Sequence, residues 1–331
     1  MNPDLSKYEF VLANKYYLRE LLESVTLEES LDEVSYRASV KMAVTPDFPG
    51  ISPGQEARVS GIPMGGNSMV YLLHPGVVWE CDSITRGQKH LTATVYDKTI
   101  YVAKSEDEYL FPAGQTATQR LQQYASDWGI TLSQIQNTGT QLAKAVYRAQ
   151  PIWSMIMSDL KETVAKGGDM YRPRMTPNGL EIFKLGSNQT VWLLELDQNV
   201  EEINQIRTLE GAVTKVKIIG NADNDQRSPV LAVVTGEVSK YGTLQKIITK
   251  GKDDSVSNAT TNGKNMLCGV QETITVRGID INTIRAGDMV KLNGMSLLAA
   301  SVKHELGSPG HMVLVLAGSD YIRRRYYVRS I

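Results

Sequence analysis

Thr94-Val95-Tyr96-Asp97-Lys98-Thr99-Ile100-Tyr101-Val102-Ala103-Lys104-Ser105-Glu106-Asp107-Glu108-Tyr109-Leu110-Phe111 is the stretch on which the reading of this chain turns. Before it lie short alternating segments; after it comes a capped amphipathic helix. Thr116 and Gln119 have the spacing of a capping box, in which the hydroxyl accepts an orphan amide and the amide side chain reaches back. Leu121, Tyr124, Ala125 and Trp128 then fall at i, i+3, i+4 and i+7, one apolar helix face, and Gly129 stands where a C-terminal cap belongs. A β-rich region closes at an Asp turn and passes to a helix with no linker.

Upstream, residues 8–111 read mainly as strands. Tyr8-Glu9-Phe10-Val11-Leu12 opens one, and Leu31 to Met42 alternates through Val34, Tyr36, Ala38, Val40 and Met42. Period-two patterning marks a sheet with one buried face. Pro46, Pro49-Gly50 and Pro53-Gly54 punctuate the next passage, and strands resume at Val70–Leu73, Val77–Cys81 and His90–Tyr96. Many short strands between turns predict a small barrel or sandwich.

Downstream, Pro151 suits a first helical turn because it lacks an amide hydrogen. Ile152, Ile156, Leu160 and Val164 line the buried side of that helix, and Gly167-Gly168 end it. Met170–Met175 and Leu180–Leu185 form a hairpin around the turn Thr176-Pro177-Asn178-Gly179, where Asn-Gly is a strong turn signal. From Thr190 strands return, at 191–194, 214–219, 230–234, 244–248, 272–276, 289–292, 297–305 and 311–316. Residues 251–265 hold one apolar side chain larger than alanine, Val256, and predict an exposed, mobile loop. The fold class expected is α+β, mainly β: two small β-barrel domains with an inserted α+β domain. The expected boundaries are 1–112 for the first barrel, 113–188 for the insert, 189–320 for the second barrel and 321–331 for a basic, aromatic tail.

The 331 residues carry 35 basic and 36 acidic side chains, a net charge of −1, which gives no long-range field to gather polyanions. Cys81 and Cys268 form no Cys-x-x-Cys pair; they read as two lone buried thiols or, in an oxidising compartment, a pair. The polar start and the lack of a long apolar run point to cytoplasmic folding and no membrane contact.

Few residues suggest chemistry. His74, His90, His304 and His311 have no zinc-like spacing, though the last two flank a hairpin. Gly61 to Ser68 lacks the Gly-Lys-Ser/Thr ending of a phosphate loop and reads as a flexible turn. Glu106-Asp107-Glu108 reads as a solvated face, since glycosidic cleavage needs carboxylates opposed across a substrate. No catalytic, metal or cofactor site is expected. The tail is the charge anomaly: Tyr321, Arg323, Arg324, Arg325, Tyr326, Tyr327 and Arg329 have the composition of a subunit or partner interface. Single-stranded nucleic acid is the competing reading for such a mixture.

The order of several segments resembles the XkdQ/YqbQ family of prophage tail proteins, relatives of the central hub of contractile-tail baseplates. Ser24 to Met42 is similar to the family's opening strands. Val95-Tyr96-Asp97 with Ile100-Tyr101-Val102 and Lys104-Ser105 is similar to its domain-closing motif, and Thr116–Ile130 and Ile152–Leu160 to its helices. Thr214–Gly220, Lys240–Gln245, Ala286–Val290 and Ser301–His304 with His311-Met312 are similar to its later segments. One departure is that the family places an alanine- and leucine-rich helix where residues 251–265 are polar. The resemblance implies a non-enzymatic homotrimeric hub, with two barrels per copy giving six around an axis. Such a ring would join a sixfold tail tube, or its initiator, to a threefold spike in a phage or phage-like bacteriocin particle, assembled in the bacterial cytoplasm. The tape-measure protein, baseplate wedge and a LysM-type tail protein are further implied partners, and nucleic acid only as cargo in the channel. The rival readings are a tail-associated peptidoglycan hydrolase and a cell-surface or glycan-binding tail protein.

Overall fold

The computed structural model describes residues 4–222, 226–251 and 255–328, apart from the Arg86 side chain. The chain divides into a large unit, Met1–Asn204 with Thr275–Leu316, and a small one, Gln205–Ile274 with Ala317–Ile331.

The large unit is mainly β. Its ladder runs, neighbour to neighbour, through His311–Ala317, Met295–Glu305, Leu22–Ser30, Arg37–Ala43, Gln88–Asp97, Val70–Arg86, Glu56–Gly61, Tyr8–Leu12 and Tyr16–Tyr17. Val200–Thr208 and Gln271–Ile279 continue it beyond His311–Ala317. Alternation sets the register: Val25 faces Val40, Leu27 faces Ala38, and Val40 and Ala38 face Ala93 and Val95. These side chains are all buried, as the period-two reading requires. Residues 31–36 form a bend rather than the start of that strand.

The mainly β, α+β class holds, but among the described residues no barrel closes: Val200–Thr208 and Tyr16–Tyr17 end the ladder unpaired with each other, and Met289–Leu292 with Trp192–Leu194 branches from Met295–Glu305. The late strand Met295–Glu305 adds directly to Leu22–Ser30, with Val302 opposite Glu29 and His304 opposite Leu27. Alternation states that a strand has one buried face. It does not state which strand lies beside it.

The deciding stretch also folds differently in part. Thr99–Lys104 is a short helix, α1, and Glu106–Phe111 leaves the main ladder to pair with Ala145–Pro151. Helix α2, Ala117–Asp127, starts on the expected capping box and ends before Gly129, whose φ is +60°. Helix α3, Ile152–Ala165, begins one residue after Pro151 and buries Ile152, Ile156, Leu160 and Val164. The following hairpin, Tyr171–Thr176 with Gly179–Lys184, pairs Thr176 with Gly179. The turn thus falls on Thr176–Gly179, as expected, with Pro177 and Asn178 at its centre. Together these elements enclose their own core, centred on Leu121, Tyr124, Met155, Ile156 and Ile182.

The small unit has a three-stranded sheet in the order Val230–Thr235, Lys215–Ile219, Gln245–Thr249. It also has helices α4, Val238–Tyr241, α5, Val256–Met266, and α6, Ser319–Ile322, the last running into a π-turn at Arg323–Tyr327. The loop expected over 251–265 is thus mostly helix. Ser255 accepts from the Asn258 amide as its cap, and Ala259, Gly263 and Met266 alone face the sheet. A Cβ on Gly263 would stand 3.2 Å from Val234 and 3.4 Å from Ile218. The missing side chain is what lets a polar helix sit close enough to bury Ala259, Gly263 and Met266.

Candidate functional site: a buried ionic joint and two exposed faces

Asp97, at the end of Gln88–Asp97, is fully buried and holds the turn that the sequence marked. Its Oδ1 accepts from the Thr99 amide at 3.0 Å and from the Thr99 hydroxyl, and Oδ2 accepts from the Tyr36 amide at 3.3 Å. Burial pushes this carboxyl up to about 6, against the pull of the Thr99 hydrogen bonds.

Beside it lies a charged cluster that joins three separate parts of the chain. Glu29 occupies the inward phase of its strand after Val25 and Leu27. It accepts from Arg285 Nε at 2.5 Å and Nη2 at 2.8 Å, and from the Ala286 amide at 3.0 Å. Burial alone would raise the Glu29 carboxyl. The charge and hydrogen bonds of Arg285, helped by Arg172 and Arg174, outweigh it and hold the group down to about 2. The Arg285 guanidinium also lies 4.0 Å from the Tyr36 ring centroid.

The helical insert is tied in by its hairpin. Arg172 donates to the Ser30 and Glu33 carbonyls at 2.6 and 2.8 Å. Arg174 donates to Asp288 Oδ1 and the Ala286 carbonyl, each at 2.8 Å, and its guanidinium stacks 3.7 Å from the Phe183 centroid. Asp288 Oδ2 in turn accepts from the Arg285 amide at 2.9 Å. A second buried network pins α2 to α3: Arg120, with no exposed surface, donates to Asp159 at 2.7 Å, and Tyr147 donates to the same oxygen at 2.6 Å.

The histidines separate. His304 is buried with Nδ1 2.6 Å from Asp280 Oδ1 and Nε2 2.9 Å from the Ile284 carbonyl, while His311 is exposed near Glu201. They do not meet across their hairpin. Asp107 accepts from the Trp128 indole at 3.0 Å, and Glu106 and Glu108 are exposed. Residues 62–69 form the turn between Glu56–Gly61 and Val70–Arg86. Both cysteines are free and half-buried. Among the described residues no three of His, Cys, Asp or Glu group as metal ligands, and no helix is long and apolar enough to cross a membrane.

The tail splits by orientation. Tyr327 and Ile322 are buried in the small unit, Val328 packs on its core, and Tyr321, Arg324 and Arg325 line a pocket of about 230 Å³ there. Arg325 is exposed with its guanidinium 5.5 Å from the Tyr326 centroid; Arg323 is half-buried, and Arg329 lies outside the described residues.

Interface-type composition also occurs in the large unit. The Arg58 guanidinium lies 6.0 Å from the exposed Tyr17 ring and 5.6 Å from the exposed Tyr71 ring, and Tyr71 stacks on His74 at 4.6 Å. Sequence reasoning passed over this patch, since its members are 13 or more residues apart except for Tyr71 and His74. It also missed the joint, although a signal existed: a glutamate on the buried phase of an alternating strand demands a cation.

Charge divides with the units. The small unit carries 13 basic and 8 acidic side chains, +5, and the large unit the other 22 and 28, −6, which together give the chain's −1.

The described geometry can be set beside known proteins. A family model described as YQBQ-like matches residues 72–313. The protein YqbQ of Bacillus subtilis is 29% identical over 160 residues, 48% of this chain and 48% of the relative. The chain spans about half the length of the curated relatives it matches. Among solved structures, the 43 kDa tail protein of prophage MuSo2 from Shewanella oneidensis superposes with a TM-score of 0.74 at 13% identity, covering 95% of this chain and 99% of that one. The E. coli c3393 protein superposes at 0.55 with 10% identity, over 93% and 77%. It is described as a component of the type VI secretion system with structural similarity to T4 tail proteins gp27 and gp5. With a match over well more than half its length, the chain belongs to the YQBQ-like family and carries the fold of a prophage tail protein.

Proposed function

We propose that this protein is a structural hub of a phage-type tail baseplate, acting as a homotrimeric adaptor between tail tube and spike. The observation that carries the reading is the superposition along nearly the whole of a prophage tail protein. The likeness to a secretion-system component that itself resembles gp27 and gp5 adds to it. The joint fits such a part: a load-transmitting subunit needs its segments locked, and Glu29, Arg172, Arg174, Arg285 and Asp288 tie the sheet, the insert and the late strands together. The Tyr17–Arg58–Tyr71 patch and the Arg325–Tyr326 pair supply the residue types enriched at interface centres.

The doubled-barrel argument for matching sixfold to threefold symmetry does not carry over. No barrel closes among the described residues, and the two units differ in size, topology and charge. The trimer rests on the fold likeness instead. Mass measurement of the purified chain, alone and with the spike protein, tests it. Three copies in either condition support the proposal; one copy in both removes it. We infer a non-enzymatic role, and a clearing band in zymography on bacterial cell walls would contradict that part.

A further inference from the structure

Among the described residues, the sheet of the small unit is covered on one face only. Val216, Ile218, Val234 and Ile248 pack against α5. The opposite face carries Val233, Lys217 and Ile247 side by side in register, with Val230 and Ile219 in the next row. Val230, Val233 and Ile247 are 52%, 46% and 51% exposed, large values for β-branched residues in a strand. Lys217 and Lys215 stand on the same face without an ion pair among the described residues, and none of the strand residues pointing that way is acidic. The described part of the tail packs on the α5 side, around Lys246 and Met266, away from this face.

We propose that this face docks an acidic amphipathic helix from another protein of the particle. Three strands about 4.8 Å apart span about 10 Å, the width of one helix. The sheet already accepts a helix on its other side, where α5 seats only three residues. Charge selects the occupant: apolar side chains would rest on Val230, Val233 and Ile247 of the two outer strands, while carboxylates beside them reach Lys215 and Lys217, which stand between those residues on the middle strand. The +5 charge of the unit favours an acidic partner over a basic one. The inference concerns this face alone and stands apart from the trimer.

Fluorescence anisotropy on the full chain, without spike protein, tests it. The probes are two labelled synthetic helices with leucines at i, i+3, i+4 and i+7, one flanked by glutamates and one by lysines. The glutamate helix is expected to bind with a dissociation constant below about 100 µM and at least about tenfold tighter than the lysine helix. Lys217→Glu reverses that preference, and Ile247→Asp abolishes binding while circular dichroism stays unchanged. Equal binding of both helices, binding of neither, or indifference to Lys217→Glu overturns the proposal. A wild-type oligomer that Ile247→Asp splits would assign the face to a second copy of the chain, and that also overturns it. Because Lys217→Glu changes only a surface charge, a folding defect in Ile247→Asp leaves the test intact.

Discussion

The two units spend their charges in opposite ways. Among its described residues the large unit, net −6, buries nine Asp, Glu, His and Arg side chains and pairs or bonds them inside itself. The small unit, net +5, buries none of those types among its described residues, and its core is held by Val216, Ile218, Ile248 and by Ala259, Gly263 and Met266 of α5. Buried ion pairs add little net stability over apolar packing, yet they punish any loss of register heavily. The large unit adds buried charge pairing to its apolar cores, while the small one is held by apolar contact alone, which leaves Lys215 and Lys217 to act outward.

The sharpest way to break this contrast is to remove one joint cation. Arg285→Ala leaves Glu29 buried without its bidentate partner and is expected to destabilise the large unit by about 3–5 kcal/mol in chemical denaturation. A loss below about 1 kcal/mol would mean that the joint is ornamental. Acid behaviour separates two carboxyls of the same unit. The Asp97 carboxyl, raised to about 6, favours the protonated folded state, so its contribution to stability grows as pH falls from 7 towards 4, by up to about 3 kcal/mol. Glu29, held at about 2, works the other way: its contribution is full above the usual carboxylate range and is lost as pH falls towards 2. Denaturation midpoints between pH 4 and 7 should lose the Asp97 slope in Asp97→Asn and keep it in the wild type.

On the other side of the comparison, Gly263→Val forces two methyl groups towards Val234 and Ile218 and should cost about 1–3 kcal/mol. Hydrogen exchange would localise the loss to amides of Lys215–Ile219 and Gln245–Thr249. Equal losses in Leu22–Ser30 would show that the two cores are not separately built. The smallest effect belongs to Glu272→Gln, which breaks only an exposed pair with Arg207 and should shift stability by less than about 0.5 kcal/mol.

Much of the fold was legible before the structure. Buried alternation through Tyr36, Ala38, Val40 and Met42, the Thr116–Gln119 capping box and the apolar face of α3 are local signals with local causes. Strand partnership is not local, which is why Met295–Glu305 was assigned to a second barrel rather than to Leu22–Ser30. Residues 255–266 misled through composition: a helix that needs only Ala259, Gly263 and Met266 to touch a sheet has no use for leucines. The tail was flagged for its arginines and tyrosines, but Tyr327 faces inward, and no count of residue types reveals direction. The joint was missed because its members lie as far apart in sequence as Glu29 and Arg285.

Peptide-resolved hydrogen exchange of the full chain, wild type against Arg285→Ala, tests the central contrast most directly. The account predicts that Leu22–Ser30, Tyr171–Thr176 and residues 284–288 lose protection together while Lys215–Ile219 and Gln245–Thr249 keep theirs. Loss spread evenly over both units, or confined to residues 284–288, would contradict it.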